Sequence, residues 1–362
     1  MRLGTTKPMH LTLFVPDLLW PDHEHRQAFE FDHSDTLARF LHLAQHTSSP
    51  LKPTASWESV LADTFGLSAE ASALASLRLL GESGTNDTSA YSRTLLCADP
   101  VNLDFMQQAL VLSSPDATQL SIEDAKSLIA SLNEEFSGEG TFFYGHSTNH
   151  WYYAPNSGDQ DLPNLAACSR LLGRRIDADE SRHLLGSTGL RWLNRIQMCL
   201  NGHPVNEARQ MQGLISINSV WPWGAGMLTN NTQHATSPFD QAVGNNALLR
   251  GLCALTGTAR LTESSPGSGL LLDTRLSDAI AQDDLSAWQH SVVRLTQAHI
   301  APALDALAKG KLNRLTLIAP DAHEKHCWTL EASNKGLTPS FFQRCLGRTR
   351  KHPDLATLIA SW

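Results

Sequence analysis

The chain has 362 residues, of which 41% are apolar and 18% charged, and a formal net charge of −8. That length buries a substantial core in one large or two ordinary domains, the composition excludes a disordered chain, and the acidic balance argues against nucleic acid as a partner. Six scattered cysteines with no C-x-x-C pair or zinc spacing read as free thiols, and no apolar run is long enough to cross a bilayer, so a cytoplasmic protein without membrane contact is expected.

In chain order, Met9–Val15 reads as a buried strand that delivers Asp17 to its carboxyl edge, where ligand chemistry sits in open α/β sheets. The following segment holds Asp22, His23, Glu24, His25, Asp32, His33 and Asp35, either a metal-binding cluster or a solvated loop. Ser34 or Asp35 caps a helix bearing Leu37, Phe40, Leu41 and Ala44, and Pro50 and Pro53 break the chain over 47–55. Helices are predicted at 57–64 and 69–80, the second opened by Ser72, whose hydroxyl is either a nucleophile against the helix dipole or a minor cap. A loop follows over 81–89.

Residues 94–98 read as a strand leading into Asp99-Pro100. Ser121-Ile-Glu-Asp124 is a capping box, and Ala125, Leu128, Ile129, Leu132 and Phe136 form one helical stripe that belongs to a core. Aromatic-rich strands at 141–144 and 150–154 suggest a hairpin, and Leu190, Leu193, Ile196 and Leu200 define a further helix. Beyond these come a helix over 240–255, strands at 259–261, 270–273, 313–318 and 327–330, and a helical stretch over 285–307. The alternation predicts an α/β core with a largely parallel sheet.

No Walker loop, G-x-G-x-x-G, G-x-S-x-G or H-E-x-x-H occurs. The densest run of chemistry is Arg191–Leu228. There Arg209 can clamp a phosphate or carboxylate or pair with an acidic neighbour, and His203 can move a proton near neutral pH. Asn206 and Asn218 can orient an anion or cap turns, while Trp221 and Trp223 line a site or anchor packing around Pro222. Asp321, His323 and His326 follow a strand, where a metal ligand or an ordinary turn would stand.

The run HPVNEARQMQGLISINSVWPWGAG, from His203 to Gly226, resembles a segment shared by archaeal-type cofactor-independent phosphoglycerate mutases and bacterial RpfE-type regulatory proteins. LCADPVNL (96–103) and SIEDAKSLIASLNEEF (121–136) resemble the same families in the same order. The leading LFVPDLLWP places the chain nearer the RpfE-type group. The resemblance implies an α/β fold of the alkaline phosphatase superfamily, with a discontinuous core of residues 1–98 and 212–362, a largely parallel sheet, and an inserted α+β domain at 99–211. Such mutases pass a phosphoryl group through a serine while two metal ions hold its oxygens.

Carried over residue by residue, the resemblance sets Asp17 at the first aspartate of a D-G-x-G-D metal loop whose remainder here is Leu18–Pro21. Ser72 falls opposite the nucleophile, with Ala73 in place of the family's aspartate. Asp321 and His323 are the remaining metal-ligand candidates, because AQDDLSAW (281–288) stands where D-E-x-x-H-D-G is expected. Asn206, Arg209, Asn218, Trp221, Trp223 and His203 form the substrate side. The expectation is a degenerate mutase relative, regulatory or metabolite-sensing, that binds a small phosphorylated or carboxylated metabolite near Arg209. Two rivals stand beside it: an active phosphomutase holding Mn, Mg or Zn through Asp17, Asp22, His23, His25 and Asp321 or His323, and a protein-binding surface built on Trp221, Trp223 and the Gly-Ala-Gly turn.

Overall fold

The computed structural model describes residues 9–21, 35–68, 73–84, 93–106, 109–114, 120–156, 161–229, 235–260, 268–332 and 355. Strand β1 (His10–Phe14) is followed by helix α1 (Asp35–Leu43), strand β2 (Gln45–Pro50), and helices α2 (Trp57–Thr64) and α3 (Leu74–Ser83). Next come β3 (Leu95–Met106), β4 (Ala109–Ser113), α4 (Ile122–Glu135), β5 (Gly140–Tyr144), β6 (Trp151–Pro155) and β7 (Arg175–Asp177). Helices α5 (Ala178–Leu200) and α6 (Pro204–Met211) lead to β8 (Ser219–Gly226) and β9 (Gln241–Val243). The chain continues through α7 (Ala247–Thr256), β10 (Ala259–Arg260), β11 (Ser268–Leu272), α8 (Arg275–Ala281), α9 (Leu285–Leu295), α10 (Ala301–Ala308), β12 (Arg314–Pro320) and β13 (Glu324–Glu331).

These strands form two sheets. The first is seven-stranded, in the order β10-β9-β11-β1-β12-β13-β2, and its first five strands run parallel. The fold is therefore mixed α/β with a largely parallel sheet. β1 lies between β11 and β12 in matched register, Phe14 opposite Leu272 and Ile318, so all three strands end at one carboxyl edge. The second sheet is antiparallel, β5-β6-β3-β4-β7 with β8 also on β3, and its strands run from Leu95 to Gly226. Its members thus extend on both sides of residues 99–211.

Glycine sets how closely α3 and α7 cross. A Cβ on Gly81 would lie 1.8 Å from the Ala247 carbonyl oxygen, and one on Gly251 would lie 1.8 Å from that of Leu77. α3 also carries Arg78 into the second sheet. There its Nη1 and Nη2 reach the Asp99 carboxylate at 2.8 and 2.7 Å, and its Nε donates to the Tyr152 hydroxyl at 3.0 Å. A bidentate guanidinium–carboxylate pair of this kind offsets the cost of burying both charges.

Several sequence expectations hold. Ser121 Oγ accepts the Asp124 amide at 3.0 Å, and Ala125, Leu128, Ile129 and Leu132 are buried. The aromatic hairpin forms, with Phe142 opposite Tyr153.

Others change. The break expected over 47–55 begins as edge strand β2, which gains its hydrogen bonds from β13 although its own side chains carry no apolar alternation. The helix expected from residue 240 begins at Ala247. Gln241–Val243 pairs with β10 and β11, and the Asn246 side chain then caps the amides of Leu248 and Leu249. The helix expected at 69–80 is described from Leu74 and runs past Gly81 to Ser83. The stretch over 285–307 is helical throughout but passes through a π turn at Thr296–Ile300, just before Pro302, whose ring cannot sit in a regular i to i−4 ladder. Ser34, Ser72 and Asp22 to His33 lie outside the described residues.

Candidate functional site

Asp17 stands at the carboxyl edge, where the sequence places it. The amides of Val15 and Asp17 donate to the carbonyls of Ile318 and Pro320 at 2.8 and 2.9 Å, carrying β1's pairing into the turn. Asp17 adopts φ +58°, a left-handed conformation that is uncommon outside glycine and best tolerated by Asp and Asn. Each of its three oxygens accepts a hydrogen bond. Trp288 Nε1 donates to its carbonyl at 3.0 Å, Ser277 Oγ to Oδ2 at 2.6 Å, and Arg174 Nη2 to Oδ1 at 2.9 Å. Burial pushes this carboxyl above its ordinary value against the pull of Arg174 and Ser277, and the charge of Asp321 adds to the rise.

The neighbouring strands deliver carboxylates to the same edge. Asp273, just past β11, donates its amide to the Phe14 carbonyl and accepts Arg275 Nε at 2.8 Å. Asp321, just past β12, spends Oδ1 on the amides of His323 and Glu324 at 2.7 and 2.8 Å, closing the turn into β13.

The loop Cys168–Arg174, which leads into β7 in the lobe built on the second sheet, closes over this edge. Ser169 Oγ donates to Glu58 Oε2 at 2.8 Å, Arg170 Nη1 donates to the carbonyls of Ala55 and Ala322, and Arg174 holds Asp17. Gly173 lies so close to α8 that a Cβ would stand 1.8 Å from the Ile280 oxygen. Burial pushes Glu58 from 4.5 up to about 7, opposed by hydrogen bonds that include the Ser56 and Ser169 hydroxyls.

The loop forms one wall of an 880 Å³ cavity, where Arg170, Arg174 and Arg175 face Trp20, Leu285 and His323. A small cavity that shares Arg170 and Arg174 with it is lined by Asp17 and Asp321. A third, of 640 Å³, is lined by Ser56, Lys52, Lys325 and Trp223. Burial and then the adjacent Arg174 cation lower Arg170 from its ordinary value, against the opposing pull of Glu180 and Asp321. Arg174 Nε is buried with no acceptor among the described residues. An oxyanion entering the cavity would meet guanidinium donors already oriented by the loop.

The conspicuous motif lies elsewhere. Asn206 donates to the carbonyls of Leu200 and Ile217 and accepts the Ile217 amide at 2.8 Å, tying α5 and α6 to β8. Asn218 accepts the Leu103 amide and donates to the Leu103 carbonyl, locking β8's start onto β3. Arg209 is 2% exposed and its Nε donates to the Ile215 carbonyl. His203 caps α6 through Nδ1, and Trp221 Nε1 donates to Ala166. Trp223 donates to Asp99 at 2.7 Å and, with Gly224 and Ala225, lines the 640 Å³ cavity described above. Apart from Trp223, the hydrogen bonds given above for these side chains all run to backbone.

Asp17 and Asp321 line one small cavity, and His323, whose amide donates to Asp321, lines the neighbouring larger one. Their donor set does not fit a two-metal centre. Asp17 Oδ1 is paired with a guanidinium cation and Oδ2 with the Ser277 hydroxyl, Asp321 Oδ1 caps its own turn, and no group of three or more His, Cys, Asp or Glu among the described residues is placed to hold a metal ion. Ser72, Asp22, His23 and His25 are outside the described residues. Sequence alone does not single out Arg170, Arg174, Glu58 or Ser277; the density of arginines over 170–175 was the available signal for the first two, and Glu58 and Ser277 carry none. Among the described residues no helix is long and apolar enough to cross a membrane.

No family model matches the chain. Over 205 residues it is 25% identical to 2,3-bisphosphoglycerate-independent phosphoglycerate mutase 2 of Methanothermobacter thermautotrophicus. That match takes in 52% of this chain and 44% of the enzyme, so it spans under half the length of this curated relative. Among solved structures, the PH0037 protein of Pyrococcus horikoshii aligns with a TM-score of 0.46 at 12% identity, covering 90% of this chain and 88% of that one. The cofactor-independent phosphoglycerate mutase of Thermoplasma acidophilum aligns with a TM-score of 0.36 at 13% identity, covering 91% and 92%.

Proposed function

We propose that this chain is a phosphoglycerate-mutase-like protein of the RpfE-type regulatory group that binds a small phosphorylated or carboxylated metabolite without turning it over. On this reading its alkaline-phosphatase-like core comprises residues 1–98 and 212–362, residues 99–211 are the insert, and the protein works in the cytoplasm. The observation that carries the reading is the arrangement of Arg170, Arg174 and Arg175 at the carboxyl edge, with Arg174 bound to the carboxylate that would otherwise hold a metal. A guanidinium in that place supplies fixed positive charge for binding but cannot deliver the Lewis-acid chemistry of a metal pair. The metabolite's acidic group therefore sits against the loop Cys168–Arg174 and not against Arg209.

The test is equilibrium binding of 3-phosphoglycerate together with a turnover assay on protein supplemented with Mn²⁺, Mg²⁺ or Zn²⁺. The reading expects saturable binding and no interconversion of 2- and 3-phosphoglycerate. Turnover that requires added metal and is lost in Ser72→Ala would sink it and establish the active-mutase alternative.

A further inference from the structure

We infer that the 880 Å³ cavity takes an amphipathic anion, with one phosphate or carboxylate head on the arginine loop and an apolar body against Trp20, Ile280 and Leu285. This rests on the anion-site reading above and adds the class of ligand.

Three observations lead there. The first is size: 880 Å³ lies within the range of sites that enclose whole drug-sized molecules, and a three-carbon phosphorylated acid would leave most of its wall uncovered. The second is sidedness. The guanidinium groups come from residues 170–175, while the facing side carries Trp20, Pro21, Ile280 and Leu285 beside the polar Asp283, Gln289 and His323, with Trp20 edge-on to Trp288 at 5.7 Å and 70°. Trp288 is fixed in turn by its bond to the Asp17 carbonyl, so this wall exists before a ligand arrives. The third is charge. Asp283, two residues before Leu285, lines the apolar end and would repel a second negative group there, while Glu180 stands beside Arg170.

Isothermal titration with inorganic phosphate, 3-phosphoglycerate and n-hexyl phosphate tests this on the full chain. n-Hexyl phosphate is expected to bind at least tenfold more tightly than inorganic phosphate. Leu285→Asn, confirmed as folded by its melting temperature, should remove that gain while leaving phosphate affinity intact, and Arg175→Ala should weaken all three probes. n-Hexyl phosphate should also perturb tryptophan fluorescence in the parent protein but not in Trp20→Phe. Equal affinities for the three probes, with binding lost in Arg175→Ala, would overturn the amphipathic ligand and leave the anion site standing. A hexyl gain that persists in Leu285→Asn and an unperturbed Trp20 would do the same. No binding of any probe would remove the anion site itself.

Discussion

Glu58 offers a sharp test of how the second lobe is seated on the sheet edge. It is 6% exposed, takes the Ser169 hydroxyl on Oε2, and is pushed by burial from 4.5 up to about 7. A carboxyl whose folded value is raised binds its proton more tightly folded than unfolded. Its stabilising contribution is therefore complete below about 4.5 and is lost as pH rises through 7. At roughly 1.4 kcal/mol per tenfold, a displacement from 4.5 to about 7 amounts to about 3 kcal/mol, most of it falling between pH 5 and 8. Glu58→Gln keeps the shape and neutral charge of the protonated form and removes the titration. Guanidinium chloride unfolding of both proteins at pH 5 and pH 8 isolates the effect, because all other titrating groups are common to the pair. The parent should lose about 2–3 kcal/mol relative to Glu58→Gln across that interval. A difference between the two that stays constant within roughly 0.5 kcal/mol would mean that Glu58 titrates as an ordinary exposed carboxylate, and the seating of Ser169 and its loop would be misread.

Further substitutions probe other parts of the account. Gly251→Ala drives a methyl into the Leu77 carbonyl across the α3–α7 crossing and should cost about 3 kcal/mol, read as a lower melting temperature, because backbone yields less than a side chain. Arg78→Leu strands the Asp99 carboxylate beneath Trp223 and should cost about 3–5 kcal/mol, with substantial recovery in the double variant Arg78→Leu/Asp99→Asn. Asn206→Ala removes the partner that the Ile217 amide and carbonyl share, while the Leu200 carbonyl keeps the His203 amide, and should cost about 2–4 kcal/mol in chemical denaturation. Its phosphate affinity, measured on the folded fraction, should stay unchanged.

Much of the fold was legible because burial writes itself into periodicity. β1, the α4 stripe and the aromatic hairpin each carry a repeat that only one element satisfies, and the alternation of strands and helices after residue 240 pointed to the parallel sheet. β2 and β9 were illegible for a physical reason: QHTSSP and QAV have too little apolar alternation to declare a strand, and they become strands because neighbouring edges offer hydrogen bonds. The site divides in the same way. Asp17 could be placed from the end of β1, but its partners Arg174 and Ser277 lie 157 and 260 residues away and no local pattern links them. Conversely, the Arg191–Leu228 run drew attention through its density of Asn, Arg and Trp. That density also suits a junction, since amide and guanidinium groups satisfy buried backbone where two helices and a strand meet the second sheet.

The central claim is that the ligand's charge is read by the loop Cys168–Arg174 and not by the His203–Gly226 motif. The most direct measurement compares the dissociation constant for 3-phosphoglycerate in the parent, in Arg170→Ala/Arg175→Ala, and in His203→Asn, which keeps an α6 cap. Removing the two guanidinium groups should weaken binding at least tenfold, about 1.4 kcal/mol or more, with His203→Asn unchanged. The opposite pattern, full affinity without Arg170 and Arg175 and loss in His203→Asn, would contradict the account.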